Sequence, residues 1–134
     1  MEVNRKFRES AVGTIMLNPT VVLPFRVPNL VGGLAESKGL AKATASEVAF
    51  EFVVKETVFD IFKSGIREIR VPQSEIDLIR FERGWFRDKL RIRFRSIKWL
   101  TDMPGCHDGE VTLRVAKRDR QQTEDFVRLL GRLN

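Results

Sequence analysis

Residues 74–97 read SEIDLIRFERGWFRDKLRIRFRSI and decide the fold more clearly than any other stretch of the chain. The second half alternates between apolar residues and arginines, which a β-strand places on opposite faces. The apolar set is Leu90, Ile92 and Phe94, and the arginine set is Arg91, Arg93 and Arg95. In the first half, Ile79 and Phe81 keep the same period, while Ile76 stands three residues before Ile79 and predicts an entry turn or a bulge. The stretch therefore predicts a β-hairpin that turns around residues 84–86, with one face in the core.

Composition narrows the class of protein. With 134 residues, the chain is long enough to bury a hydrophobic core as one domain. A hydrophobic content of 43% is typical of a globular protein, and no apolar run approaches the roughly 20 residues that a membrane-spanning helix needs. The opening MEVNRKFRESAVGTIML carries charges where a secretory signal needs an apolar block. Together with a single cysteine, Cys106, this pattern leads us to expect a cytoplasmic protein.

The positive charge raises the question of an anionic partner. A net charge of +6 and a pI near 10.0 suit nucleic acid, acidic lipid headgroups or an acidic protein. Acids are nevertheless interleaved with the arginines of the hairpin, namely Glu75, Asp77, Glu82 and Asp88. We therefore favour a solvated face whose guanidinium groups pair with acids across strands over a dedicated polyanion site.

Further strands are predicted on both sides of the hairpin. Their ranges are 20–27, 39–44, 47–55, 65–71 and 110–116. The first contains Pro24, which lacks a ladder donor, so it is interpreted as an edge strand. Residues 29–39, around the Gly32-Gly33 pair, are interpreted as a flexible loop. The inward faces should hold Val48, Phe50, Phe52 and Val54 of one strand and Val111, Leu113 and Val115 of another.

The chain closes with an amphipathic helix. Asp119 is a natural N-cap, with Gln122 three positions on to complete a capping box. Phe126, Leu130 and Leu133 form an apolar stripe at helical spacing. Because a single helix after many strands must bury such a stripe, we expect it to pack against the sheet.

Residues 56–65, ETVFDIFKSG, crowd apolar side chains into a connection between strands. The spacing predicts a short helix that plugs one end of the sheet. In the alternative interpretation, Phe59 and Phe62, flanked by Lys55 and Lys63, form an exposed contact for a partner or a membrane surface.

Three segments together resemble a known family. They are residues 54–97, the segment PGCHDGEVTLRVAKRDR at 104–120 and the closing FVRLLGRL at 126–133. The order of short strands and one terminal helix resembles the pleckstrin-homology-like barrel, in particular its small bacterial members related to PH and GRAM domains. The resemblance implies a mainly β fold, a bent antiparallel barrel of about seven strands capped by the C-terminal helix. Residues 1–17 would then be an N-terminal arm and residues 18–134 the PH-like domain.

The resemblance implies a non-catalytic binding module without a cofactor, because the family is chiefly a binding scaffold. We expect a protein partner or a second copy of the chain, with contacts at Phe59, Phe62, Trp85 and Phe86. The first alternative is peripheral binding to anionic lipid headgroups through Lys55, Lys63 and Arg67, although residues 67–70 read REIR instead of the basic-x-basic pair of lipid-binding members. The second alternative is nucleic-acid binding through Arg91, Arg93 and Arg95, with Trp85 or Phe86 stacking on a base.

The segment around Cys106 contains residue types that can take part in catalysis or bind a metal. Cys106 and His107 stand next to each other, with Asp102 and Asp108 close by. Adjacent loop residues rarely reach one another, and one cysteine with one histidine leaves only carboxylates to complete a zinc site. We therefore interpret this segment as a plain turn, and expect neither a catalytic nor a metal site.

Overall fold

A computed structural model describes residues 19–56, 61–62 and 65–131, and for residues 31 and 61–62 it describes the backbone alone. The described residues form nine strands and one C-terminal α-helix. In chain order they are β1 (Val21–Leu30), β2 (Ala35–Ala43), β3 (Glu47–Glu56), β4 (Ile61–Phe62), β5 (Arg67–Pro72), β6 (Ile76–Glu82), β7 (Asp88–Phe94), β8 (Cys106–His107), β9 (Glu110–Val115) and α1 (Arg120–Gly131). The mainly β fold with one C-terminal helix is confirmed.

All the strand pairs are antiparallel and belong to one sheet. The order across it is β4-β3-β2-β1-β9-β7-β6, with β5 also on the edge of β3 and β8 on β9. Seven of the nine strands have six residues or more, which agrees with the expected number. Within the described residues, however, β6 does not pair with β4 or β5, so the sheet stays open and does not close into a barrel.

The strand β1 lies inside the sheet, so the prediction of an edge strand at Pro24 is wrong. The ladder between β1 and β2 runs unbroken through Pro24 and Phe25, which requires the proline nitrogen to point the other way, toward β9. Pro28 is four residues further on and lies on the same side of the strand. The two prolines therefore remove donors on either side of Arg26, and β1 meets β9 in register only where Arg26 faces Arg114.

The core lies where the hairpin pattern predicted it. Leu90, Ile92 and Phe94 are buried, and so are Val48, Phe50, Phe52, Val111, Leu113 and Val115. Val54, which was predicted to face the core, is only half-buried. Phe50 on β3 joins the two ends of the sheet, with its ring centroid 6.2 Å from that of Phe25 and 6.3 Å from that of Phe94, both edge to face. The register of β6 against β7 shifts between Ile76 and Leu78, which confirms the expected irregularity.

The helix α1 packs on β1 and β6. Phe126 and Leu130 are 0% and 1% exposed, which confirms the predicted burial of the stripe. Leu133 lies outside the described residues. The helix begins directly after Asp119, but the side chain of Gln122 donates to the carbonyl oxygen of Val22 on β1 at 3.2 Å, so it ties the helix to the sheet.

Two local predictions need correction. The segment 29–39 is mostly strand, because β1 continues to Leu30, a single 3-10 turn follows at Val31–Gly33, and β2 begins at Ala35. The turn has positive φ at Gly32 and Gly33, which lets the chain reverse within a few residues. The helix predicted within 56–65 is wrong for Ile61–Phe62, which forms β4 opposite Lys55 and Glu56. Ladder pairing with β3 has outweighed the helical spacing there.

Candidate functional site

Two exposed aromatic side chains stand at the turn between β6 and β7. Trp85 and Phe86, here called the aromatic tip, are 85% and 81% exposed. Their ring centroids are 6.4 Å apart and the ring planes meet at 77°. Arg83 and Arg87 flank them in the sequence, and Arg83 forms an ion pair with Glu124 on α1. The turn therefore displays apolar rings between cations, at two of the four positions that the sequence proposed for contact.

The carboxylate of Asp88 fixes the base of this turn. Asp88 is the first residue of β7 and is 0% exposed. Arg120, at the start of α1, contacts both carboxylate oxygens, with Nε 2.7 Å from Oδ2 and Nη2 3.0 Å from Oδ1. The backbone N–H of Gly84 donates to Oδ1 at 3.2 Å. One buried carboxylate therefore joins the strand, the turn and the helix.

Further contacts hold the backbone at Gly84. Nη2 of Arg120 donates to its carbonyl oxygen at 3.3 Å. Lys117 donates to the same oxygen, and its Nζ lies 3.6 Å from Oδ1 of Asp88. A side chain at position 84 would place its Cβ 2.1 Å from the carbonyl oxygen of Arg87, so the close approach requires glycine. These contacts hold the backbone that carries the aromatic tip in place before any partner binds. Less conformational entropy is then lost when the tip makes a contact.

The pKa of Asp88 determines part of the pH dependence of the stability of the fold. The hydrogen bond from Arg120 lowers the pKa of Asp88 from 3.8 to about 2, although burial acts in the opposite direction. Because this pKa is lower in the folded than in the unfolded state, the contribution to stability is complete above about pH 4 and is lost as the pH falls through about 2. We expect the free energy of unfolding to drop by about 2 kcal/mol across that range through this group alone. Urea unfolding at a series of pH values measures it.

The matched variant for the pH series is Asp88→Asn, which cannot ionise. Its unfolding free energy should lack the component between about pH 4 and pH 2 that the parent shows. An identical pH dependence in both proteins would contradict the assignment.

Sequence reasoning missed the role of Asp88, which it placed among the acids of the solvated face. The signal was present in the strand period, since Asp88 has the same parity as Leu90, Ile92 and Phe94 and must face inward with them. An acid at a core-facing position requires a buried partner. The sequence could not name Arg120 as that partner.

A cleft of about 480 Å³ opens beside the tip, between β1, β2, the β6–β7 turn and the segment that leads from β9 into α1. We call it the basic cleft. Its basic lining residues are Arg26, Lys38, Arg87, Arg114, Lys117 and Arg118, against one acid, Asp119. Phe86 also lines it, so the cleft is continuous with the aromatic tip. Sequence reasoning did not assemble this site, because the residues come from separate segments.

The arginine row of the hairpin lies on the outer face of β7 and continues just past its end. Nε of Arg91 donates to Glu82 at 2.9 Å, which confirms the expected cross-strand pair. Nη1 of Arg95 lies 3.5 Å from Asp77, and Arg93 is exposed. The row is therefore partly neutralised by acids of β6.

The other sequence candidates lie near the β3 edge or outside the described residues. Lys55 on β3 is half-buried, and Arg67 on β5 is exposed. Phe59 and Lys63 lie outside the described residues, and Phe62 is described by its backbone alone. The proposed contact at the phenylalanines and the proposed anion contact at the lysines stay predictions.

The segment around Cys106 is strand β8, paired with β9. Nε2 of His107 lies 3.3 Å from Oδ2 of Asp108, and both side chains are exposed. Among the residues that the structure describes, no group of three or more His, Cys, Asp or Glu could hold a metal ion.

Compared with known proteins, the chain matches no family model, no curated protein and no solved structure. In the described part of the chain, no helix is both long enough and apolar enough to cross a membrane. The class of this protein is therefore defined by its fold alone, an open antiparallel sheet covered by a C-terminal helix. The resemblance to pleckstrin-homology-like domains stays a prediction.

Proposed function

We propose that this protein is a non-catalytic binding module that docks on a protein surface through the aromatic tip, and that the partner is a second copy of the chain. The observation that carries the proposal is the exposure of Trp85 and Phe86 on a turn that Asp88 holds rigid. Exposed aromatic rings beside arginines are the side chains that most often dominate protein interfaces.

A second copy is favoured because an unpaired strand leads into the tip. Within the described residues β6 forms ladder pairs with β7 alone, so its other main-chain edge lacks a strand partner. Leu78 on this strand is 39% exposed. An edge strand offers main-chain donors and acceptors to another strand. Two copies that pair β6 with β6 antiparallel would each place the aromatic tip beside the start of β6 of the other copy.

The test is size-exclusion chromatography with light scattering over a range of concentrations. The parent should form a dimer, and the double variant W85S/F86S should weaken it by about thirtyfold in Kd, since loss of an aromatic anchor costs about 2 kcal/mol. The matched control is Ile66→Ser, because Ile66 is 80% exposed but lies outside the tip. A parent that is monomeric at every concentration, or a double variant that dimerises as well as the parent, would refute self-association.

The lipid alternative is less well supported at the residues that the sequence named for it. Lys55 is half-buried on β3, and Arg67 on β5 is followed directly in the sequence by the acid Glu68. Flotation with acidic and neutral vesicles at low and high salt would detect this mode, which should weaken steeply as salt rises.

A further inference from the structure

Four basic residues lie side by side across four neighbouring strands on the outer face of the sheet. Lys38 on β2 faces Arg26 on β1, Arg26 faces Arg114 on β9, and Arg114 faces Lys89 on β7. We call them the cationic row. Because neighbouring strands are about 4.8 Å apart, the row extends about 14 Å.

Direct cross-strand pairing of like charges destabilises a sheet, so this row needs compensation. Glu36 accepts from Arg26 at 2.7 Å. At the other end Glu82 faces Lys89, but it also accepts from Arg91 at 2.9 Å.

Arg114, by contrast, has no such partner among the residues that the structure describes. No carboxylate of the described residues lies within ion-pair distance of Arg114. Burial, then the positive charges of Arg87 and Arg26, lower the pKa of Arg114, while the charge of Glu36 raises it. The half-buried guanidinium is therefore poorly compensated by the described part of the chain.

The single ladder pair between β1 and β9 also shapes the surface beside the row. The basic cleft opens on the Pro24 side of that pair, and a second cleft of about 290 Å³ opens on the Pro28 side. Arg114 lines both. The basic cleft adds an apolar surface, the exposed ring of Phe86. A chain of anionic groups with flat apolar substituents would match both the row and the cleft.

We propose that the cationic row and the basic cleft bind single-stranded nucleic acid, with phosphates along the row and a base against the wall of the cleft. Evenly spaced cations can follow a phosphate backbone, and an aromatic ring accepts the face of any base. A lipid headgroup has no flat ring to lie against Phe86, and a duplex keeps its bases stacked away from the cleft walls. The proposal goes beyond self-association. It shares Phe86 with the aromatic tip but rests on the cationic row, which self-association does not use, so either can fail without the other.

The test is the fluorescence anisotropy of a labelled oligothymidine of about 12 nucleotides, a length within the range that small single-strand binders cover. With about four phosphates neutralised, the logarithm of the association constant should fall with log salt at a slope of about −3, so that affinity drops about fiftyfold between about 50 and 200 mM salt. Arg114→Gln should weaken binding and make the slope shallower by about 0.7.

The matched control is Arg93→Gln. It removes the same charge from the outer face of the hairpin, but Arg93 is not a member of the cationic row. It should bind as the parent does. A thermal melt distinguishes a lost site from a lost fold, because removal of Arg114 relieves repulsion and should leave the melting temperature of the free protein unchanged or higher.

Competition then identifies the ligand class. A duplex of the same length, sodium tripolyphosphate and acidic vesicles should each displace the oligothymidine less well than an unlabelled single strand. Equal displacement by any of them would overturn the assignment to single strands. A salt slope that Arg114→Gln leaves unchanged, or an equal loss in Arg93→Gln, would overturn the assignment to the row.

Discussion

Replacing Asp88 with alanine is expected to destabilise the fold by about 3 kcal/mol, because it removes the buried partner of an ion pair and leaves Arg120 facing a site built for a carboxylate. The Gly84 amide loses its acceptor at the same time. Urea unfolding at neutral pH, followed by circular dichroism, measures the change.

The control is the same substitution at another acid of the hairpin. Asp77 pairs with Arg95 at 3.5 Å, but both side chains are about half exposed, so Asp77→Ala should cost less than about 1 kcal/mol. If the two variants had equal stability, Asp88 would not fix the turn as argued. The Asp88 variant should also dimerise more weakly, since the aromatic tip would lose its support.

Replacing Phe126 with alanine is expected to cost about 4 kcal/mol, the largest effect among these variants. Its ring is 0% exposed in α1, which covers β1 and β6, so the change leaves a cavity under the helix. The measurement is again the free energy of unfolding in urea.

Phe86→Ala provides the matched control, because it removes the same atoms from a ring that is 81% exposed. It should change stability by less than about 0.5 kcal/mol. A small effect at Phe126 would show that the helix contributes little to the core. The same variant of Phe86 should weaken self-association, which separates the role of the tip from that of the core.

The prolines of β1 show how a correct physical rule led to a wrong prediction. Proline lacks a ladder donor, and from this rule β1 was predicted to be an edge strand. Pro24 does lack a ladder donor, and that donor is absent on the side of β9, as the rule requires. The strand is nevertheless internal, because one register pair between two prolines is enough to join β1 to β9. A one-dimensional pattern cannot reveal on which side a partner lies.

The helix predicted within residues 56–65 was wrong at Ile61–Phe62 for a different reason. Apolar residues at spacings of three and four fit a short helix, but Ile61–Phe62 pairs with the end of β3. A pattern of a few residues cannot separate a helical turn from a short strand, and contact with a neighbouring strand decides between them.

By itself the sequence determined the hairpin, the inward faces of the long strands and the apolar stripe of the final helix. These follow from side-chain periods of two and of about 3.6 residues, which are local properties of the chain. The tertiary structure alone decided that Asp88 meets Arg120, 32 positions away, and that Arg26 and Arg114 stand opposite each other. Such encounters depend on strand order and register, which are set by packing of the whole sheet, so charges that look balanced along the chain can gather into an unbalanced row.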